Sequence, residues 1–278
     1  GFEQSQADLA SVLGVNVEEM KALTEQAREL GATTRFTAGE VASLQKEFAK
    51  LGFDQSEIQN MTEATLSLAA ATGTELAEAA AVAGGVMNAF GLDSSQTQRA
   101  VDVMAASFSK SALDMEKFKE TMKTAAPIAK ATGVSLEQAT AAAGKLADAN
   151  ISGSKAGTDL KNIFSQLIKD GKPLEESLND IATELDGAST KAEKLAIAED
   201  LVGERAKGSL LVLVEQREAL AELQGGLENS GGAAKEMADK QLNTLNGALD
   251  LLKSAWEGFI LDLNEGTGAF AGLKDILF

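Results

Sequence analysis

The residues best suited to chemistry lie between Leu146 and Phe164, in the run LADANISGSKAGTDLKNIF. Ser152, Gly153, Ser154, Lys155, Ala156, Gly157 and Thr158 bring hydroxyls, one cation and two glycines together. That composition could grip a phosphate through backbone amides. A phosphate loop, however, ends in Gly-Lys-Ser/Thr and follows a strand. Here Lys155 is followed by Ala156, and the residues up to Asn150 read as a helix. The run therefore reads as a close helix–helix turn, with Asn150, Gly153, Ser154, Ala156, Gly157 and Thr158 as its characteristic residues. Glycine and serine at this density mean unusual backbone angles or close approach of another segment.

Other chemistries fare no better. The chain has no His and no Cys. Metal sites built on imidazole or thiolate, and triads needing either group, are excluded. Disulfides are impossible. Among 42 Asp and Glu, spacing singles out no acid–nucleophile pair of the glycosidase type. With no Tyr and one Trp, sugar-stacking platforms are scarce. No calcium loop of alternating Asp/Asn with a closing Glu occurs. The expectation is a protein that is not an enzyme and takes no cofactor or metal. The seven Met fall mainly on apolar faces and read as core filler.

Net charge is −17, which disfavours binding to nucleic acid or anionic membrane surfaces. No run approaches about 20 consecutive apolar residues, the length of a spanning helix. The first residues, GFEQSQADL, lack the basic-then-apolar pattern of a secretory signal. The start without Met and the end at Phe278 inside an apolar pattern suggest a piece of a longer protein.

The elements that must position these residues are helices. Ala, Leu, Glu, Lys and Gln dominate, and β-branched runs are scarce. Start signals recur: Asn16 with Glu19, Thr37 with Glu40, Asp54 with Glu57, Thr72 with Glu75, Asp93 with Gln96, Asp114, and Ser135 with Gln138. Such side chains satisfy orphan amides at helix starts. Gly14, Gly52 and Gly91 mark helix ends. Leu51-Gly52-Phe53-Asp54, Phe90-Gly91-Leu92-Asp93 and Ala149-Asn150-Ile151-Ser152 share one layout of helix end, turn residue, apolar plug and cap. Their unequal spacing is not that of a solenoid. Pro127 predicts a kink or a new helix start. Leu210–Val214 is apolar all round and should be buried, and 225–232, GGLENSGG, reads as a linker.

The last segment differs. Leu242, Leu245, Leu249, Leu252, Trp256, Phe259 and Leu263 alternate spacings of three and four, a heptad seam of about three repeats. Leu251, Ile260 and Leu261 add apolar surface outside it, which favours a wider bundle or a membrane-like or protein-lined environment over a two-stranded coil. The seam serves either an internal helix pair or an oligomer interface.

The expected fold is all-α, with short to medium helices in helix–turn–helix pairs and a long C-terminal heptad-patterned helix. Three segments are expected: a core helical domain over 1–169, a helical extension with a Gly-rich linker over 170–232, and the heptad helix with the start of a following segment over 233–278.

These blocks resemble the core region of phage tail tape measure proteins. Phe2–Ala42 resembles that family's opening pair of helices and Thr-rich turn, and Leu66–Ala80 its second block. The most specific match is Lys123–Asn162. There Ala-Pro, Thr-Gly, Ser-Leu-Glu, Leu-Ala, Asn, Ile, Gly-Ser and Ala-Gly-Thr-x-Leu occur in order. NTLNGALDLLKSAWEGF resembles the closing helix, while residues from about 170 to 235 diverge. The resemblance implies a helical, multi-copy protein, here a trimer or hexamer. It would lie inside the tail tube of a long-tailed phage after assembly in the host cytoplasm. It would set tail length and leave the tube at DNA ejection. Expected partners are tail tube, tail tip and assembly chaperone proteins, with the host membrane at ejection and no direct nucleic-acid contact. The alternative is a membrane-active helical protein that assists DNA passage.

Overall fold

The structure is a computed structural model that describes residues 1–167, 172–243 and 245–265, without the side chains of 245–246 and 262–265. Ile168, part of the apolar pattern after the central turn, lies outside the described residues. The fold is all-α, and no strand occurs among the described residues. The helices are α1 (Phe2–Leu13), α2 (Lys21–Thr33), α3 (Ala38–Lys50), α4 (Gln55–Thr72), α5 (Leu76–Phe90), α6 (Thr97–Lys110), α7 (Met115–Thr132) and α8 (Leu136–Asp148). They continue with α9 (Gly153–Leu167), α10 (Leu174–Asp186), α11 (Lys191–Val202), α12 (Lys207–Glu215), α13 (Arg217–Glu228), α14 (Ala233–Leu242) and α15 (Leu245–Glu265).

Local chemistry explains most boundaries. The hydroxyl of Thr37 accepts the Glu40 N–H at 3.3 Å while Glu40 accepts the Thr37 N–H at 2.8 Å. Asp54 and Glu57 exchange the same pair of bonds at 2.9 Å each. Ser135 and Gln138 do so ahead of α8, and Asp114 accepts from Lys117 ahead of α7. Each arrangement satisfies amides that a helix start leaves open. Two expected starts open 3₁₀ turns first: Val17–Met20 after Asn16, and Ser94–Gln96 after Asp93.

Thr72 is not a helix start. The alanine run before it carries α4 on to Gly73, whose φ is +67°, and the Thr72 hydroxyl donates back to the Leu68 carbonyl at 2.8 Å. α5 begins only at Leu76. Pro127 neither ends α7 nor starts a new helix. Pro127 and Lys123, whose carbonyl loses its usual partner, are both exposed, so water can satisfy the carbonyl. The expected linker is also shorter than its glycines suggest: α13 runs through Gly225 and Gly226 to Glu228. Gly226 sits under Lys110, which donates to its carbonyl at 3.3 Å.

One closing turn recurs with full geometry. The N–H groups of Phe53, Leu92, Val134 and Ile151 reach back five residues to Phe48, Met87, Ala129 and Leu146, at 3.3, 2.8, 2.8 and 2.8 Å. The preceding residues, Gly52, Gly91, Gly133 and Asn150, all have positive φ. This is the Schellman arrangement, in which a left-handed residue lets the last carbonyls be capped by backbone. Asn150, at φ 60°, is the one non-glycine among the described residues to adopt it.

The chain divides into two compact units, Gly1–Gly84 with Ala234 onward, and Gly85–Ala233. In the first, Leu9, Met20, Leu23, Leu44, Phe48, Ile58, Met61 and Leu68 are fully buried, and the Phe48 and Phe53 rings meet edge-on at 6.0 Å. The interior of the second is built on Met87, Met104, Phe118 and Phe164, with alanines filling between helices. Leu210, Leu213 and Val214 of the apolar α12 run are buried there. Alanine interiors gain less apolar area per residue than leucine ones, so close approach has to supply dispersion contact instead.

Candidate functional site

The central turn is shorter than its composition suggests. α8 ends at Asp148, Asn150 turns the chain, and α9 already begins at Gly153. Gly153, Ser154, Ala156, Gly157 and Thr158 thus belong to the first turns of a helix. Gly153 takes φ +62° and the Thr158 hydroxyl donates to the Ser154 carbonyl at 3.0 Å. The reason for the small residues is tertiary. α9 lies against α7 so closely that a Cβ on Gly157 would be 2.6 Å from the Thr121 carbonyl oxygen. Ala156 is fully buried. The Thr121 hydroxyl donates to the Gly153 carbonyl at 3.2 Å, and Ser154 donates to Glu120 at 3.3 Å.

Lys155 is occupied as well. Its ammonium pairs at 2.5 Å with Asp159, which is buried and also accepts the Ser209 hydroxyl of α12. A buried carboxylate needs such partners. The residues that suggested a phosphate loop therefore fasten α9 to α7, and Asp159, the partner of Lys155, ties it to α12.

Asp159 was missed by sequence reasoning, and so were two similar groups. Glu137 of α8 is buried and accepts from Nε and Nη2 of Arg99 of α6 at 2.7 Å each. The Glu137 hydrogen bonds push the Arg99 pKa further up, against the opposing effect of burial. Asp102 is buried and accepts the Gly232 N–H at 2.9 Å. Each of these carboxylates holds two elements together. Among the described residues no group of three or more His, Cys, Asp or Glu could hold a metal ion.

The C-terminal seam is not continuous. Leu242 ends α14, while Leu245 begins α15. Gly247 allows a close approach there: a Cβ on it would lie 2.6 Å from the Leu242 carbonyl oxygen. The side chains of Leu245 and Leu263 lie outside the described residues. Of the rest, Leu249, Leu252 and Trp256 are 56, 68 and 64% exposed. Phe259 is half-buried, with its ring 5.6 Å from that of Trp256. Leu251 and Ile260 are exposed too. α15 instead lies on α2 and α3 with Ser254 fully buried, and the Asp250 carboxylate pairs with Arg35. The central turn belongs to the second unit and the seam to the first.

A family model for phage-related minor tail proteins matches residues 24–271. The chain belongs to that family. Two curated relatives extend the likeness of this minor tail protein. The tape measure protein of Pneumococcus phage Dp-1 is 29% identical over 92% of the chain and 24% of its own length. The probable tape measure protein of Escherichia phage P2 is 30% identical over 94% of the chain and 35% of its own length. The chain thus spans about a quarter to a third of these relatives. No solved structure matches it.

Proposed function

We propose that this chain is a folded segment of a phage tail tape measure protein, acting in tail assembly and tail-length determination and leaving the tube during DNA ejection. The observation that carries the reading is the match over 92 and 94% of the chain to proteins named tape measure and probable tape measure. The structure supports a mechanical role over a chemical one. Its buried carboxylates are committed to helix contacts, so the segment is proposed to act without catalysis and without a cofactor.

In this reading the segment works as a homo-oligomer, trimer or hexamer, inside the tail tube, in contact with tube, tip and assembly chaperone proteins. It is assembled in the host cytoplasm. Drawn-out helix converts residues to length at about 1.5 Å each, whereas this segment's caps and turns favour a compact module within the ruler. Its charge of −17 repels DNA, which favours exit ahead of the genome. The membrane-active alternative gains no support: no helix among the described residues is long and apolar enough to cross a membrane.

The test is an in-frame deletion of this segment from the full-length gene in a tail-producing phage, with tails imaged by electron microscopy. The expected result is loss or shortening of tails. Tails of normal number, length and infectivity would overturn the reading. Leakage from dye-loaded vesicles on adding the isolated chain would instead favour the membrane-active alternative.

A further inference from the structure

α15 docks with the wrong face for a permanent contact. Its large apolar side chains, Leu249, Leu252 and Trp256, point to solvent. The side towards α2 and α3 is small: Gly258 has Ala32 as its nearest contact, with a Cβ reaching only 3.9 Å from it. Among the described side chains of α15, Phe259 and Leu261 are half-buried and the other large apolar ones are exposed, so docking leaves much of their apolar surface in water. Ser254 is fully buried, and its Oγ has no hydrogen-bond partner among the described residues. Burying a hydroxyl unpaired opposes the docked state. Asp250, Lys253 and Glu257 of α15 also border an open cleft of about 540 Å³, whose other walls include Arg35, Glu40 and the turn at 73–77. Among the described residues, the ion pair between Arg35 and Asp250 is a directed polar contact across this junction, with both side chains partly exposed.

We propose that α15 is a releasable strap: the Arg35–Asp250 pair holds it on α2 and α3, the unpaired Ser254 hydroxyl weakens that hold, and the helix detaches without the remainder of its unit unfolding. The release itself is a property of the chain alone. Its use rests on the tape-measure reading, in which letting go of a 21-residue helix adds roughly 30 Å to the drawn-out length.

Amide hydrogen exchange followed by mass spectrometry on the 278-residue chain tests it. Peptides from α15 should exchange at least tenfold faster than those from α3. Asp250→Asn should speed α15 exchange several-fold while leaving α3 unchanged, and 1 M salt should act in the same direction by screening the pair. Ser254→Ala removes the unpaired hydroxyl and should slow α15 exchange several-fold. The two variants thus move one reading in opposite directions, which general loss of fold does not do. Exchange of α15 in step with α3 would overturn the strap, as would faster exchange in Ser254→Ala. Neither result bears on whether the chain belongs in a tail.

Discussion

Gly157 has the Thr121 backbone carbonyl where its own Cβ would be, 2.6 Å away. α9 meets α7 at a point where no side chain fits, and the neighbour is backbone that cannot rotate aside. Gly157→Ala should destabilise the chain by about 1–3 kcal/mol, the usual cost of overpacking. Gly85, inside α5, has nothing within 4 Å of its would-be Cβ. Gly85→Ala should stabilise by about 0.5–1 kcal/mol through helix propensity. Urea unfolding of both variants checks the contrast, and equal effects would show that Gly157 is not tied to α7.

Asn150 makes a second backbone prediction. At φ 60° it occupies a conformation that costs most side chains about 1–2 kcal/mol. Asn150→Val should lose that amount in thermal or urea unfolding. Asn150→Gly should be neutral or mildly stabilising. A Val variant as stable as the parent would mean that the turn has another way to close.

The legible part of this fold is the part fixed within a few residues. Thr37, Asp54, Asp114 and Ser135 cap helices because partner and amide are neighbours in the chain, and Gly52, Gly91 and Asn150 end helices for the same reason. Close approach of another segment is one of the two readings open for Gly157; the sequence does not show that it sits inside α9 or that the neighbour is the Thr121 carbonyl, because that contact is distant along the chain. Asp159 and Glu137 gave no signal, since Ser209 and Arg99 lie 50 and 38 residues from them. The seam is legible only in part. Leu242 and Leu245 keep a helical spacing whether or not the helix breaks between them, and apolar spacing cannot tell which face of α15 meets its own chain.

Stability should respond to acid through a cap. The Ser95 hydroxyl and N–H hold the Asp93 carboxyl below its usual 3.8. A depressed folded value means that the cap's contribution is complete above pH 3.8 and is lost as the pH falls through the lower folded value. Asn also caps helices well but does not titrate. The stability difference between the parent and Asp93→Asn should therefore stay constant from pH 8 to pH 5 and shift against the parent below about pH 4. Unfolding at a series of pH values measures it, and the comparison cancels the relief of negative charge common to both proteins.

The exposed seam separates folding from association. Leu249 and Leu252 are 56 and 68% exposed, so replacing both with Asp should change the unfolding free energy of the isolated chain by no more than about 0.5 kcal/mol each. If the seam joins copies, the same double variant should be monomeric by light scattering at concentrations where the parent forms a trimer or hexamer. A parent that stays monomeric at every concentration would remove the seam as the origin of multiple copies. Local unfolding of the variant would mean that the seam is internal after all.

The first compact unit is assembled from both ends of the described chain, Gly1–Gly84 and Ala234 onward, with the second unit inserted between them. A pulling force that enters before α1 and leaves after α15 is borne by contacts of the first unit. Gly85–Ala233 feels no tension until those contacts part. Mechanically the insert is shielded, and extension should proceed in order: α15 detaches first, the remainder of the outer unit yields next, and the inner unit last. During synthesis the order reverses: the inner unit is complete on the ribosome before the outer unit has received its last helices.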